Sequence, residues 1–255
     1  MGKLLIGTSG YNYPHWHRGV FYPQDVPQRR WLEFYSGQFD TVELNVTFYR
    51  LIKREVFDGW YRRTPKEFLF AVKGSRYITH VRRLRDCEEA VQRFSENAQG
   101  LQEKLEVILW QLPPRFIYQK ERLTAFSEMV GESSVLSKTR HAFEFRHESW
   151  FIPEVARLLE GYGFSLCICD SPHLPSTETV TADFVYLRFH GSQSLYGSKY
   201  TDEELTRWAQ KTQAWLDQGI SVYAYFNNDA CGYAVENARR LREILTGRSR
   251  FHSSS

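Results

Sequence analysis

The stretch Ala142-Phe143-Glu144-Phe145-Arg146-His147 decides the fold that this sequence predicts. In a β-strand, successive side chains point to opposite faces, so Phe143 and Phe145 share one face. Ala142, Glu144 and Arg146 share the other face. A strand with large apolar groups outward and a charged pair inward is typical of a closed barrel wrapped by helices. The charges stand at the carboxyl end of the apolar run, where barrels of this type carry their active sites.

The same alternation recurs along most of the chain, in about eight apolar runs separated by segments of helical periodicity. The predicted strands cover residues 4–7, 41–45, 68–73, 107–111, 142–147, 166–170, 185–190 and 221–227. The predicted helices cover residues 30–37, 54–63, 88–103, 123–130, 153–162, 201–216 and 233–245. This order, in a chain of 255 residues, predicts a single-domain α/β fold of the TIM (β/α)8-barrel type. An open, doubly wound sheet is the alternative.

The domain is expected to span residues 1–247, and residues 248–255 are expected to form a disordered tail. The segment 171–183 contains two prolines and two Ser-Thr clusters. We therefore expect an irregular crossover after the sixth strand rather than a helix. A Thr201-Asp202-Glu203-Glu204 capping box predicts the start of the following helix.

Composition indicates a globular protein with a sizeable core, since hydrophobic residues make up 42% and aromatic residues 16% of the sequence. The net charge of +3 is compatible with an anionic ligand but too small to indicate nucleic-acid binding alone. The opening apolar run is too short for a signal peptide, and no segment reaches the length of a membrane span. We therefore expect no membrane partner.

The four cysteines show no disulfide or metal-site spacing, which favours a protein of the reducing cytoplasm. Cys167 and Cys169 would share one face of the sixth strand as small apolar groups, and we expect that face to meet the helices. Thiol catalysis is therefore not expected.

Six motifs resemble, in order, the signatures of the YecE-like "domain of unknown function 72" family. They are Gly7-Thr8-Ser9-Gly10-Tyr11, Val42-Glu43-Leu44-Asn45-Val46-Thr47-Phe48-Tyr49-Arg50, Trp110-Gln111-Leu112-Pro113-Pro114, Phe145-Arg146-His147-Glu148-Ser149-Trp150, Arg188-Phe189-His190-Gly191 and Tyr225-Phe226-Asn227-Asn228-Asp229. The resemblance covers nearly the whole chain. It implies a TIM barrel distantly similar to the xylose-isomerase and endonuclease-IV group of barrels. It implies no established activity, because the family is uncharacterised.

Polar side chains on the inward faces collect at the predicted strand ends. The candidate catalytic residues are Glu144, His190, Asp170 and Glu43. The candidate substrate-binding residues are Lys73, Arg146, Arg188, Asn45, Gln111, Asn227, Tyr11, Trp16, Tyr49, Trp150 and Gly191. A carboxylate can act as general acid or base, and arginines can hold a carboxylate or phosphate through two hydrogen bonds. Ion pairs that merely fill the barrel mouth, Glu144–Arg146 and Asp170–Arg188, are the structural alternative.

Glu144 is the first candidate for proton transfer, and His190 competes with it. The flanking phenylalanines would raise the pKa of Glu144 and Arg146 would lower it, so the direction of the net shift is left open. Lys73 is interpreted as a charge partner, because nearby carboxylates oppose the neutral amine that a Schiff base requires.

No cofactor and no metal ligand are assigned. A divalent metal is a weaker alternative, because three cations in the predicted pocket would repel it. Its ligands would be Glu43, Glu144, Asp170 and His190.

Two hypotheses about function follow from the loops. Gly191 follows the seventh strand, where barrels often bind phosphate through backbone amides. Aromatic side chains near a basic loop after the third strand suit a base or sugar ring that carries phosphate. The first hypothesis is therefore an enzyme, of hydrolase or isomerase/lyase type, that uses acid–base chemistry on a phosphorylated or otherwise anionic small molecule, nucleotide- or sugar-derived. The alternative is a nucleic-acid-binding protein, with or without nuclease activity, whose basic loop binds single-stranded nucleic acid or damaged duplex. The sequence does not indicate the oligomeric state.

Overall fold

The structure is a computed structural model that describes residues 2–17 and 19–247. The strands are β1 (Leu4–Thr8), β2 (Thr41–Leu44), β3 (Leu69–Lys73), β4 (Leu105–Gln111), β5 (Arg140–Glu144), β6 (Ser165–Leu166), β7 (Ile168–Asp170), β8 (Phe184–Phe189) and β9 (Ser221–Phe226). The helices are α1 (Trp31–Gln38), α2 (Val46–Tyr49), α3 (Arg54–Arg62), α4 (Glu88–Ala98), α5 (Lys120–Glu132), α6 (Pro153–Tyr162), α7 (Asp202–Asp217) and α8 (Tyr233–Thr246). The predicted disordered tail, residues 248–255, lies outside the described residues.

The strands form two parallel sheets, which establishes an α/β fold. One sheet has the order β1-β9-β8-β7, and the other has the order β2-β3-β4-β5-β6. At the carboxyl ends of β1 and β2, an isolated parallel bridge joins Ser9 to Glu43. The predicted sixth strand is divided into β6 and β7, and between them the amide of Cys167 donates to the carbonyl oxygen of Phe143, 2.9 Å away.

Two separate apolar clusters confirm the alternation predicted from the sequence of β5. Phe143 and Phe145 belong to the large cluster between strands and helices, where the Phe145 ring stacks on Trp150 at 4.5 Å. Ala142 belongs to a smaller cluster on the opposite faces of the strands. Large side chains thus fill the space under the helices, and smaller ones and tyrosines fill the inner space.

Local signals placed most of the helices correctly. Thr201 and Glu204 form the predicted capping box at the start of α7. Pro153 begins α6, and Gly163 ends it at φ +66°, a conformation that glycine adopts without a steric penalty. The helix predicted over 88–103 instead ends at Ala98 and continues as a 3-10 turn to Lys104. The segment 171–183 contains neither helix nor strand, as predicted.

The short helix α2 was not predicted, because its four residues lie in what the sequence indicates as a loop. Within the described part of the chain, none of the helices has both the length and the apolar character needed to cross a membrane.

Candidate active site

A buried arginine on β8 joins two carboxylates that come from two other strands. Arg188 donates from Nη2 to Glu43 Oε1 at 2.7 Å and from Nε to Glu43 Oε2 at 3.0 Å. Its Nη1 donates to Glu144 Oε2 at 2.5 Å. All three side chains are at most 1% exposed. Because β2 and β5 belong to one sheet and β8 to the other, this ionic cluster lies between the sheets.

Two further donors complete the hydrogen bonding of the two carboxylates in the ionic cluster. Arg146 donates from Nε to Glu144 Oε1 at 2.6 Å, and the Tyr186 hydroxyl donates to Glu43 Oε2 at 2.7 Å. Each of the four carboxylate oxygens therefore accepts at least one charged or phenolic hydrogen bond. Such charge-assisted bonds are about twice as strong as neutral ones, so the cluster is rigid.

The two carboxylates are held ionised. Burial alone would raise the pKa of Glu144, but the charges of Arg188 and Arg146 outweigh burial and hold that pKa well below its usual range. Glu43 shows the same balance: burial opposes ionisation, and Arg188 lowers the pKa below its ordinary value. The net pKa shift of Glu144, whose direction the sequence leaves open, is thus downward. At neutral pH both groups are anions, and neither is suited to carry a proton.

Lys73 adds a third cation to this space. Its side chain is 8% exposed, and its Nζ lies 4.4 Å from the centre of the Phe48 ring. Among the described residues, no carboxylate lies within ion-pair distance of Nζ. Burial, followed by the charge of Arg188, lowers the pKa of Lys73 to about 8. The ammonium is therefore present at neutral pH without a direct counter-charge.

His190 completes the inward residues as a neutral imidazole. Its Nε2 lies 3.5 Å from Nη1 of Arg188, and its Nδ1 lies 3.2 Å from the side-chain nitrogen of Asn227. Both ring nitrogens face donors, so a second proton on the ring would meet repulsion. Burial and the charge of Arg188 accordingly lower the pKa of His190 well below its usual value.

The predicted inward position of Asp170 is wrong. Its Oδ2 accepts a hydrogen bond from Nε1 of Trp208 on α7, so the side chain faces the helices. Cys167 and Cys169, expected to face the helices, belong instead to the inner cluster. The strand follows the rule that β5 shows: Ile168, which is large, packs under the helices, and the small thiols fill the inner space. The Asp170–Arg188 ion pair proposed as a structural alternative therefore does not form.

Because of this position, Asp170→Asn is expected to leave unchanged the anion binding that the sequence predicts, and to alter the free energy of unfolding by about 1 kcal/mol or less. Asparagine keeps an oxygen that can accept from Trp208. Urea denaturation and a sulfate titration would measure the two effects. A loss of sulfate binding in this variant would contradict the outward position of Asp170.

Two tryptophans expected beside the substrate are core residues instead. Trp16 is fully buried, and its Nε1 donates to Asp229 Oδ1 at 2.6 Å. Trp150 is fully buried under Phe145, with its Nε1 donating to the carbonyl of Phe116 at 2.6 Å. Aromatic residues in loop sequences were interpreted as ligand-facing, but these two rings anchor the loops to the outer core.

The remaining predicted residues lie at the carboxyl ends of their strands. Gln111 is 6% exposed, and its buried Oε1 has no hydrogen-bond partner among the described residues. Tyr11, Asn45 and Tyr49 line a groove beside the cluster. Gly191, at φ +101°, donates its amide to the hydroxyl of Tyr200 at 3.1 Å, so this amide is engaged within the protein.

Three residues outside the set of candidate site residues also belong to the site. Tyr186 stands two positions before Arg188 on the inward face, and that parity was a sufficient signal for it. Tyr13 donates its hydroxyl to the carbonyl of Ser9 at 2.5 Å. Ser9 in turn places its Oγ 3.5 Å from Nη2 of Arg188. The sequence offers no signal for Tyr13 and Ser9, because their position depends on how the first loop folds over the strand ends.

Among the residues that the structure describes, the inner faces bring together one group with metal-ligand atoms, namely Glu144, Cys167 and Cys169, whose ligand atoms lie within 4.8 Å of one another. Both oxygens of Glu144 already accept from arginines. Burial raises the pKa of the Cys167 thiol well above its usual value, which opposes the thiolate that a metal requires. These donors therefore fit a divalent metal poorly. The set of four ligands considered from the sequence is not assembled, because Asp170 faces α7.

The fold and the site together define a class: α/β proteins with parallel strands whose carboxyl ends surround a buried ionic cluster. Within that class, the chain belongs to the family described as "Protein of unknown function DUF72", whose model matches residues 5–254. The family resemblance inferred from the six sequence motifs is therefore confirmed.

Similar proteins come from several bacteria. UPF0759 protein YunF of Bacillus subtilis (strain 168) is 25% identical over 276 residues, covering 95% of this chain and 94% of that protein. UPF0759 protein YecE of Escherichia coli (strain K12) is 26% identical over 268 residues, covering 95% of this chain and 92% of that protein. A solved DUF72 family protein, TM1631 from Thermotoga maritima MSB8, is 29% identical with a TM-score of 0.83, covering 95% of this chain and 99% of its own.

More distant structures share the fold alone. SacUVDE has a TM-score of 0.58 at 8% identity, and the match covers 97% of this chain and 99% of that chain. PbGH5A, a glycoside hydrolase family 5 enzyme from Prevotella bryantii B14, has a TM-score of 0.51 at 9% identity, and the match covers 94% of this chain and 95% of that chain.

Proposed function

We propose that the two parallel sheets close into one (β/α)8 barrel, and that the chain is an enzyme acting on a phosphorylated or otherwise anionic small molecule by acid–base chemistry. Two features support closure. The Ser9–Glu43 bridge joins the two sheets on one side, and on the other side the chain passes from β6 of one sheet to β7 of the other through Cys167 alone, whose amide extends the pairing with β5 by its hydrogen bond to Phe143. The bonds that Arg188 makes to carboxylates of the other sheet support it as well. In barrels of this type the carboxyl ends of the strands carry the chemistry.

The observation that carries the proposal is the charge balance of the ionic cluster. Arg188, Arg146 and Lys73 supply three cations against the two carboxylates Glu43 and Glu144. Buried charges without counter-charges are costly, so a surplus cation in a buried space attracts an anion. Lys73, with its ammonium unpaired among the described residues, is the group that an anionic substrate would neutralise.

Lys73 is also the group best suited to move a proton. A pKa of about 8 leaves the ammonium mainly protonated at neutral pH while keeping the neutral amine accessible. In this assignment Lys73 acts as general acid or base, and Arg146 orients the anion. Glu43 and Glu144 position the two arginines. The four free cysteines fit an enzyme of the reducing cytoplasm.

A ligand screen followed by a turnover assay tests this function. Wild-type protein, Lys73→Met and the exposed control Lys66→Met are compared by thermal shift against phosphorylated sugars, nucleotides and carboxylates. We expect stabilisation by a subset of these compounds in wild type and Lys66→Met, with at least a tenfold loss of affinity in Lys73→Met. Compounds that stabilise are then incubated with the protein, and their conversion is followed by mass spectrometry. Equal binding to Lys73→Met would contradict the proposed site, and tight binding without conversion would contradict catalysis.

One observation favours a second function, nucleic-acid binding of nuclease type. The segment 75–86 exposes a basic loop that includes Arg76, Tyr77, Arg83 and Arg85. Cationic and aromatic groups on one surface suit a single-stranded backbone and its bases. If this loop binds nucleic acid, Arg83→Ala with Arg85→Ala weakens binding of a single-stranded oligonucleotide and lowers its salt dependence. Oligonucleotide affinity unchanged in the double variant would remove this alternative.

A further inference from the structure

A groove of about 490 Å³ lies at the carboxyl ends of β1 and β2, lined mainly by residues that follow these two strands. Its walls include Tyr11, Tyr13, Asn45, Tyr49, Arg50 and Trp60. Four of these six side chains are aromatic and one is cationic. Tyr49 is 73% exposed, so its ring is accessible to a ligand in the groove. Aromatic walls of this kind offer stacking surfaces to a planar ring.

The groove also contains an amide with no partner. Asn45 immediately precedes α2, but its side chain does not cap that helix. Its Oδ1 is buried without a hydrogen bond, and among the described residues its nitrogen has no acceptor either. A buried amide group without a hydrogen-bond partner lowers the stability of the protein by about 1–3 kcal/mol, unless a ligand supplies the missing hydrogen bond. The side-chain nitrogen of Asn45 can donate to a ring nitrogen of a heterocycle in the groove, and rotation of the amide would turn its oxygen towards an amino group on the same edge.

Two chains of contacts connect the groove to the ionic cluster. On one side, the Phe48 ring lies 4.9 Å from the Tyr49 ring and 4.4 Å from the ammonium of Lys73. On the other side, Tyr13 bonds to Ser9, which lies beside Arg188. One ring, that of Phe48, thus separates the groove wall from Lys73, and one serine separates it from Arg188; a ligand that joins an anionic group to a ring would have to span that separation.

We propose that this groove binds a planar nitrogen heterocycle, so that the ligand of the site is nucleotide-like, with its ring between Tyr49 and the Asn45 amide and its anionic group at Lys73. The inference rests on the proposed anion site and adds the class of molecule that carries the anion. A sugar phosphate offers the anion without the planar ring. A nucleic-acid strand offers both, but it would also have to contact the basic loop.

The test uses five probes on the intact chain, measured by isothermal titration calorimetry: inorganic phosphate, glucose 6-phosphate, AMP, adenosine and a short oligo(dA). We expect AMP to bind at least about tenfold tighter than inorganic phosphate and glucose 6-phosphate, as one stacked base provides. Tyr49→Ala and Asn45→Ala should each reduce this advantage and leave phosphate binding unchanged. Tyr162→Ala removes an exposed tyrosine at the end of α6, outside both the groove and the basic loop, and serves as the matched control. Lys73→Met should weaken every phosphate-bearing probe.

The outcomes separate this inference from the proposed function. If AMP binds no tighter than phosphate while both depend on Lys73, the ring subsite is wrong and the anion site stands. If AMP and glucose 6-phosphate bind equally tightly, a planar ring is not what the groove recognises. If oligo(dA) binds much more tightly than AMP and depends on the basic loop, the groove belongs to a polymer site. If adenosine binds through Tyr49 but no phosphate binds, the proposed function fails independently of the groove.

Discussion

Arg188→Met is expected to destabilise the protein by about 3–5 kcal/mol, the usual cost of removing one partner from a buried ionic network. Arg188 makes the only bonds from a guanidinium to Glu43 that the described residues contain, and it shares Glu144 with Arg146. Methionine fills similar volume but leaves the fully buried Glu43 carboxyl without its cation, with the Tyr186 hydroxyl still donating to it. Urea denaturation at neutral pH measures the loss of stability.

The matched control for this variant is Arg63→Met. Arg63 makes a two-point ion pair with Glu33 at 2.8 Å, but these side chains are 39% and 35% exposed. Exposed pairs contribute about 0–1 kcal/mol, so this change should have little effect. Adding Glu43→Gln to Arg188→Met should recover part of the lost stability, because the uncompensated charge is then removed. Equal effects of Arg188→Met and Arg63→Met would contradict the buried network.

Arg188→Met should also reverse the dependence of stability on acid. In the wild type, Glu43 and Glu144 have folded pKa values below their unfolded values, so their contribution is lost as pH falls through the folded pKa. Without the arginine, burial raises the pKa of Glu43. The variant should then gain stability relative to wild type as pH falls into the range where carboxylates protonate. Parallel acid unfolding of both proteins would contradict this account.

Lys73→Met is expected to stabilise the protein by up to about 3 kcal/mol at neutral pH, although it removes the proposed anion site. Lowering a pKa from 10.5 to about 8 costs about 1.4 kcal/mol per unit whenever the lysine is charged in both states. Below pH 8 the full cost is present. As pH rises from about 8 towards 10.5, the folded protein loses this proton first, so the cost declines and the two proteins converge. Chemical denaturation of both proteins at neutral and alkaline pH measures the difference.

Lys104 provides the opposite case within the same chain. It is also buried, but its Nζ donates to the carbonyl of Tyr61 at 2.7 Å and to the carbonyl and hydroxyl of Thr64 at 2.8 and 3.0 Å. Lys104→Met removes all three of these charge-assisted hydrogen bonds and should destabilise by about 1–3 kcal/mol. Stabilisation by Lys73→Met together with destabilisation by Lys104→Met is the expected contrast. If both variants lose stability equally, Lys73 is a structural residue and not a ligand site that costs stability.

The strands of the fold could be predicted from the sequence because side chains of different size and charge alternate along them. Phe143 and Phe145 against Ala142 and Glu144 show the rule directly, and the structure follows it. For the sixth strand the prediction places Asp170 inward and the cysteines against the helices, and the structure shows the reverse. The charge of Asp170 suggests an inward position, but the size of Ile168 favours packing of that face under the helices. Close packing under the helices favours the large group there, and a partially buried carboxylate finds its donor in Trp208.

Part of the candidate site was also readable, because strand parity and strand ends place Glu43, Lys73, Glu144 and Arg188 inward. The sequence does not show which strands lie opposite each other. The two hydrogen bonds between Arg188 and Glu43 could therefore be identified only in the structure. The positions of loop aromatics depend on tertiary packing, and Trp16 was therefore misjudged.

The most direct test of the anion site is the affinity for sulfate as a function of pH, because sulfate keeps its charge across the range in which Lys73 titrates. Calorimetric titrations of wild type, Lys73→Met and Lys66→Met are needed from well below to well above pH 8. If the Lys73 ammonium holds the anion, affinity is constant below a pKa of about 8 and falls by up to tenfold per pH unit above it. Lys66→Met should show the same profile, and Lys73→Met should bind weakly at every pH. A sulfate affinity that does not change with pH, or that survives in Lys73→Met, would contradict the account.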